Sequence, residues 1–292
     1  MSIIQDDGGL RLILQKENVT WFSFLQASRV PNSNEGGWNS RTYWVKRGLE
    51  LLCRNKEPEE FVTEWTKSSL ASKAKPLPRT KNFMLRERKA AAVDGRRGKN
   101  ETPARGTENA LNWSIFLKTY TGSDMTYELP LAADKSGQLR ADLVVFSKTG
   151  KCVEIIELKE NIASGTPLMA LTESICYALQ LLRCWEALKP EVNNVFEIKF
   201  DILNKIHLVL AAPDYWDRCK PGGPGVGAIN NEDISKLRAI VAAVGDAITN
   251  NKENLPKPEI SLTLAEVSAE STLKQYEGCP SDLPDDSIVS AR

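Results

Sequence analysis

A single histidine in 292 residues, and six cysteines without one Cys-x-x-Cys pair, argue against a zinc site of the usual Cys/His type. Net charge is missing as well. Lys plus Arg and Asp plus Glu both number 38, which excludes a globally basic nucleic-acid binder but leaves room for a local basic patch. No apolar run approaches the ~20 residues of a membrane span, so no membrane contact is expected. The N-terminus has no basic region followed by an apolar stretch, so no secretory signal is expected either. Cys53, Cys152, Cys176, Cys184, Cys219 and Cys279 are scattered, and Cys152 and Cys176 lie among apolar residues as buried thiols do. These features suggest a reducing compartment, the cytoplasm, or the nucleus of a eukaryotic cell.

The length suffices for one full core plus an appended region, or for two modest domains. The zero net charge hides an asymmetry. Residues 67–106 hold twelve Lys and Arg against three acids, a net of +9, and 251–292 hold eight acids against four bases, a net of −4. Residues 1–66 read as an aromatic-rich N-terminal extension or small subdomain. Trp38, Trp44 and Trp65 there suit either a core or a base-stacking platform. Residues 67–106 read as a basic linker or loop, solvated or ordered by a polyanion, with Arg86, Arg88, Lys89, Arg96, Arg97 and Lys99 as candidate contacts to nucleic acid.

From Thr107 a core is expected through 267, with a frayed, disordered tail over 268–292. Thr107 suits an N-cap for a helix from Glu108 to about Thr119 that buries Leu111, Ile115 and Leu117. A strand is expected near 126–132, and then two strands joined by a turn at 147–151, where Thr149-Gly150 is the turn signal. Pro167 opens a long helix to about Leu188, packed by Leu168, Leu171, Ile175, Leu179 and Leu182. The apolar run 206–212 reads as a central strand and makes His207 a core histidine. A helix near 232–249 and a strand near 259–267 complete the expectation. The fold class is α/β (α+β), with an αβββαβ core and a mixed sheet flanked by helices.

Three charges stand out in this frame. A strand sets residues i and i+2 on one face, so Glu157 and Lys159 point together while Leu158 points away. The hairpin turn brings Asp142 back beside Glu157. Charges at the tip of so apolar a strand are costly unless they are used. Two carboxylates and an amine can hold a divalent metal and a water beside a phosphate. The bland alternative is an edge strand with a solvated outer face.

The αβββαβ order, with Asp142 on the second strand and Glu157-Leu158-Lys159 on the third, resembles the PD-(D/E)XK nuclease superfamily, the restriction endonuclease-like fold. The resemblance covers roughly 107–212. It implies a Mg²⁺-dependent hydrolase (Mn²⁺ as a substitute) that cuts phosphodiester bonds, foremost in DNA. In that role Asp142 and Glu157 hold the metal, the Leu158 carbonyl adds an oxygen, and Lys159 steadies the attacking water and the growing charge. Ala141 stands where the family's name has Pro. Glu108 is the candidate for the acid that members add from the first helix. Glu173, Tyr177 and Gln180 share one face of the helix after the third strand and would support the site. RecB-like members place Gln before Tyr there, and this chain has the reverse. Asp214, Trp216 and Asp217 are candidates for the cleft wall. A catalytically silent DNA-binding scaffold and an RNase are the alternatives, and the complete Asp142–Glu157–Lys159 set argues against the scaffold. Cutting both strands of a duplex needs two sites, which a homodimer would supply.

Overall fold

A computed structural model describes residues 108–119, 124–134, 137–159, 167–213, 231–251, 255–276, 283–284 and 287–290. The elements in chain order are α1 (Glu108–Thr119), β1 (Met125–Asp134), β2 (Gly137–Phe146), β3 (Cys152–Leu158), α2 (Pro167–Phe196), β4 (Lys205–Ala212), α3 (Asn231–Asn250), β5 (Glu259–Val267) and β6 (Leu273–Gln275). The strands form one mixed sheet in the order β1-β2-β3-β4-β5-β6. β1, β2 and β3 pair antiparallel, β3, β4 and β5 pair parallel, and β6 returns antiparallel to β5. The class is α+β.

Each face of the sheet carries its own core. Val153 and Ile155 of β3 join Leu208 and Leu210 of β4 under the apolar stripes of α2 and α3. Ile156 and Leu158 face the other way, with Val209, Ala211 and the Ile115–Phe116 step of α1. All seven β3 residues are buried, as expected for a strand covered on both faces. In α1 it is Phe116 beside Ile115 that packs inward, and Leu117 is exposed. Leu117 lies two residues from Ile115, about 200° around the helix, so both cannot face the sheet.

α2 runs eight residues beyond the expected end at Leu188 and carries Pro190 inside it. An internal proline costs about 3 kcal/mol. Leu188, Val192 and Phe196 continue the apolar stripe and are all buried, each contributing roughly 1.5–3 kcal/mol. Burial therefore wins. Past the helix end, Glu197 takes φ 57°, and Asn193 Oδ1 accepts from the Phe200 amide at 3.0 Å. Trp185 and Phe200 meet edge-on, ring centres 5.2 Å apart, which braces the helix against the hairpin base.

That hairpin turns through residues 147–151. Gly150 N donates to Ser147 O at 2.9 Å, and Gly150 adopts φ 68°. A Cβ on Gly150 would lie 2.2 Å from Lys199 O, so both the conformation and the space call for glycine. Among the described residues after Ser268, two short stretches meet the sheet. Leu273, buried in the α1-side core, carries β6 onto β5, and Ser290 bridges to Lys274. Ile288 N donates to the buried Glu154 at 3.3 Å. An apolar anchor at Leu273 and the buried Glu154 carboxylate thus meet described residues of a stretch expected to be frayed. Among the described residues no helix is long and apolar enough to cross a membrane.

Candidate active site

The β2–β3 ladder runs from Phe146↔Val153 to Leu143↔Ile156 and stops. Beyond that pair β2 stays with β1, through Ala141↔Leu129, and β3 stays with β4, through Leu158↔Ala211. The two strands therefore part at Asp142 and Glu157. Lys159 N donates to Ala211 O at 3.0 Å, so the Leu158 amide next to it turns the other way, toward β2. There it donates to Asp142 Oδ2 at 2.9 Å. A carboxylate fills the place a backbone carbonyl would take in a continued ladder, and this ties Asp142 to the tip of β3.

Glu157 and Lys159 project on the α2 side, alternating with the inward-packed Leu158. Lys159 Nζ donates to Glu157 Oε1 at 2.5 Å and lies 2.9 Å from Glu173 Oε2 on α2. Glu157 is nearly sealed, with 2 % of its side chain exposed, whereas Glu173 keeps 20 %. Glu157 Oε2 is buried and takes no hydrogen bond. Burial above all, and then the charge of Asp142, pushes the Glu157 carboxyl well above the usual carboxylate range; Lys159 pulls it down, and Glu173 pushes it further up.

Two carboxyl groups thus flank one ammonium, with the charge of Asp142 acting on Glu157 beside them, an excess of negative charge in a place with little water. A hard divalent cation suits that donor set, which is all oxygen, and the unpartnered Glu157 Oε2 is an oxygen ready to bind it. Asp142 and Glu157 would hold such an ion. No preformed cage of three or more His, Cys, Asp or Glu side chains occurs among the described residues. Mg²⁺ does not require one, since it is usually bound through one or two carboxylates and several waters.

Glu173 reaches Lys159. Gln180 is buried and donates from Nε2 to the Leu131 carbonyl at 3.2 Å, joining α2 to β1. Tyr177 is buried in the α2-side core. The Leu158 side chain packs in the α1-side core. Glu108 is the first residue of α1, and its side chain lies outside the described residues. Arg86, Arg88, Lys89, Arg96, Arg97 and Lys99, the tryptophans Trp38, Trp44 and Trp65, and Asp214, Trp216 and Asp217 also lie outside them.

His207 is fully buried, its Nδ1 2.7 Å from Ser261 Oγ while Nε2 has no partner. Burial, with the charges of Lys205 and Arg238, lowers its pKa to about 3, so it is a neutral imidazole at physiological pH. The Lys159–Glu173 contact and the bond from the Leu158 amide to Asp142 are elements of the site the sequence leaves unspoken. The only trace of the first there is Glu173 on the helix face it shares with Tyr177 and Gln180. Comparison of the chain with family models, with curated proteins and with solved structures finds no match.

Proposed function

We propose that the chain is a metal-dependent nuclease that hydrolyses phosphodiester bonds, with DNA as the foremost substrate and Mg²⁺ as its cofactor. One observation carries the reading: Asp142 of β2 lies beside Glu157 and Lys159, at the buried tip of β3, where the two strands part. The element order α1-β1-β2-β3-α2-β4 supports it, being the order the PD-(D/E)XK resemblance requires.

Each residue has a physical task. Asp142, fixed by the Leu158 amide, and Glu157, with a buried oxygen to spare, hold the cation. Mg²⁺, when bound, polarises the phosphate and makes a water more acidic. Lys159, braced between carboxylates, positions its ammonium to steady the attacking oxygen and the charge growing on the phosphate. The burial of this group keeps its field strong, because little water is present to screen it. Cutting both strands of a duplex would draw on two such sites, and the reading therefore extends to a homodimer.

The test is cleavage of supercoiled plasmid, single-stranded DNA and matched RNA with Mg²⁺, Mn²⁺ or EDTA, for wild type, Glu157→Ala and Lys159→Ala. Metal-dependent nicking that drops by about 10²–10³ in the lysine variant, and is absent in the glutamate variant, is the expected result. Cleavage of RNA alone reassigns the substrate. No cleavage of any substrate, together with no thermal stabilisation by either metal, leaves a silent scaffold instead.

A further inference from the structure

We propose that Glu173 is a displaceable counter-ion: it holds Lys159 in the empty site and yields that ammonium to the incoming phosphate. The inference rests on the nuclease reading and assigns a positioning role within it.

The geometry sets the two glutamates apart. Glu157 Oε1 lies 2.5 Å from Lys159 Nζ and is sealed in the sheet, whereas Glu173 Oε2 lies 2.9 Å away with its side chain ten times as exposed, 20 % against 2 %. Glu157 therefore forms the inner wall and Glu173 the outer one. A phosphodiester approaching from solvent meets Glu173 first. Phosphate and carboxylate are both anions, and each is a good partner for the same ammonium. Placed side by side in a poorly hydrated site they repel each other strongly. The carboxylate must give way, and Glu173 on α2, 20 % exposed where Glu157 is 2 % exposed, is the glutamate nearer solvent.

The empty protein gains from this arrangement. Lys159, almost fully buried, is held by a hydrogen bond to Glu157 and an ion pair with Glu173, and needs no large rearrangement before it can act. Adventitious anions must also compete with Glu173 before they reach Lys159, so only a ligand with additional contacts displaces it. Removing the Glu173 charge while keeping its shape should therefore favour the phosphate-bound state.

The experiment measures binding of a short DNA duplex in Ca²⁺, and in Mg²⁺ over times too short for turnover. It compares wild type, Glu173→Gln, Glu173→Ala and Glu173→Asp, each also in a Lys159→Gln background. The expected result is that Glu173→Gln tightens Kd by about fivefold or more, a typical coupling between linked binding events. KM falls with it, Glu173→Asp returns toward wild type, and the gain disappears in the Lys159→Gln background. The same gain without Lys159 would mean only that a negative charge near DNA has been removed, and overturns the proposal. Weaker DNA binding, or a parallel loss of Mg²⁺ affinity, makes Glu173 a metal ligand or a structural brace and overturns it too. Glu173→Ala and thermal melts guard against a variant that fails to fold. If wild type binds no DNA in either metal, the reading of DNA as substrate falls, and this inference with it. If wild type binds and Glu173→Gln changes nothing, this inference falls alone.

Discussion

The Leu158 amide donates to the Asp142 carboxylate at 2.9 Å, across a gap of sixteen residues and at the point where β2 and β3 part. This bond links fold and chemistry. A strand fork leaves backbone donors without ladder partners, and an unpaired buried amide costs about 1–3 kcal/mol. The carboxylate removes that cost, and by doing so it is fixed in position next to Glu157.

Replacing Asp142 tests both roles separately. Asp142→Ala removes the acceptor and should destabilise the protein by about 1–3 kcal/mol, read as a lower midpoint in urea unfolding. Asp142→Asn keeps an oxygen for the Leu158 amide and should lose much less stability. Both should lose metal-dependent cleavage. Equal stability losses in the two variants would show that the amide bond contributes nothing.

Gly150 meets two demands, φ 68° and a backbone oxygen 2.2 Å from where a Cβ would sit. A left-handed residue with a side chain costs roughly 1–2 kcal/mol, and the overlap with Lys199 adds to it. Gly150→Ala should lower Tm by several degrees, measured by thermal denaturation without metal. An unchanged Tm would mean the turn relaxes freely.

Glu157 makes stability depend on pH in an unusual sense. Its folded carboxyl is held well above the ordinary 4.5, by burial first and Asp142 next. Folding thus favours the protonated form, and the unfolded chain releases that proton first. Stability from this group is full below the unfolded value and is lost as pH rises through the raised folded one. Without metal, Glu157→Gln should flatten that part of the profile and be more stable than wild type above the window. Mg²⁺ should stabilise wild type there and not the variant. Calorimetry across pH, with and without Mg²⁺, checks both.

His207 acts at the acid end. Its pKa falls from 6.5 to about 3, so folding favours the neutral ring. Stability is full above the unfolded value and drains away as pH falls toward 3, at up to about 1.4 kcal/mol per pH unit. His207→Leu should flatten this slope in denaturant titrations between those limits. A slope that persists in the variant would assign the loss to carboxylates.

How much of this was legible beforehand differs from element to element. β3, α2 and β4 announced themselves, because a mostly apolar run and a 3.6-residue stripe need nothing distant to be recognised. The pairing of Glu157 with Lys159 on one side also follows from strand alternation alone. The end of α2 did not, since Pro190 reads as a stop unless one knows that Leu188, Val192 and Phe196 have a core to enter. β6 was equally opaque. Leu273 is one apolar residue among charges until β5 offers its edge.

By itself, then, the sequence determined periodicity: which stretches are strand or helix, which faces are apolar, and that an acid and an amine stand together at the end of a buried strand. Tertiary structure alone decided what those charges meet. The fork at Asp142 and the contact of Glu173 with Lys159 join residues sixteen and fourteen positions apart, and Glu157 beside them is sealed. Local patterns repeat every two or 3.6 residues and carry no record of such distances. Their partners are chosen when the two faces of the sheet are covered, because only then does each buried charge acquire the neighbours that set its ionisation and its use.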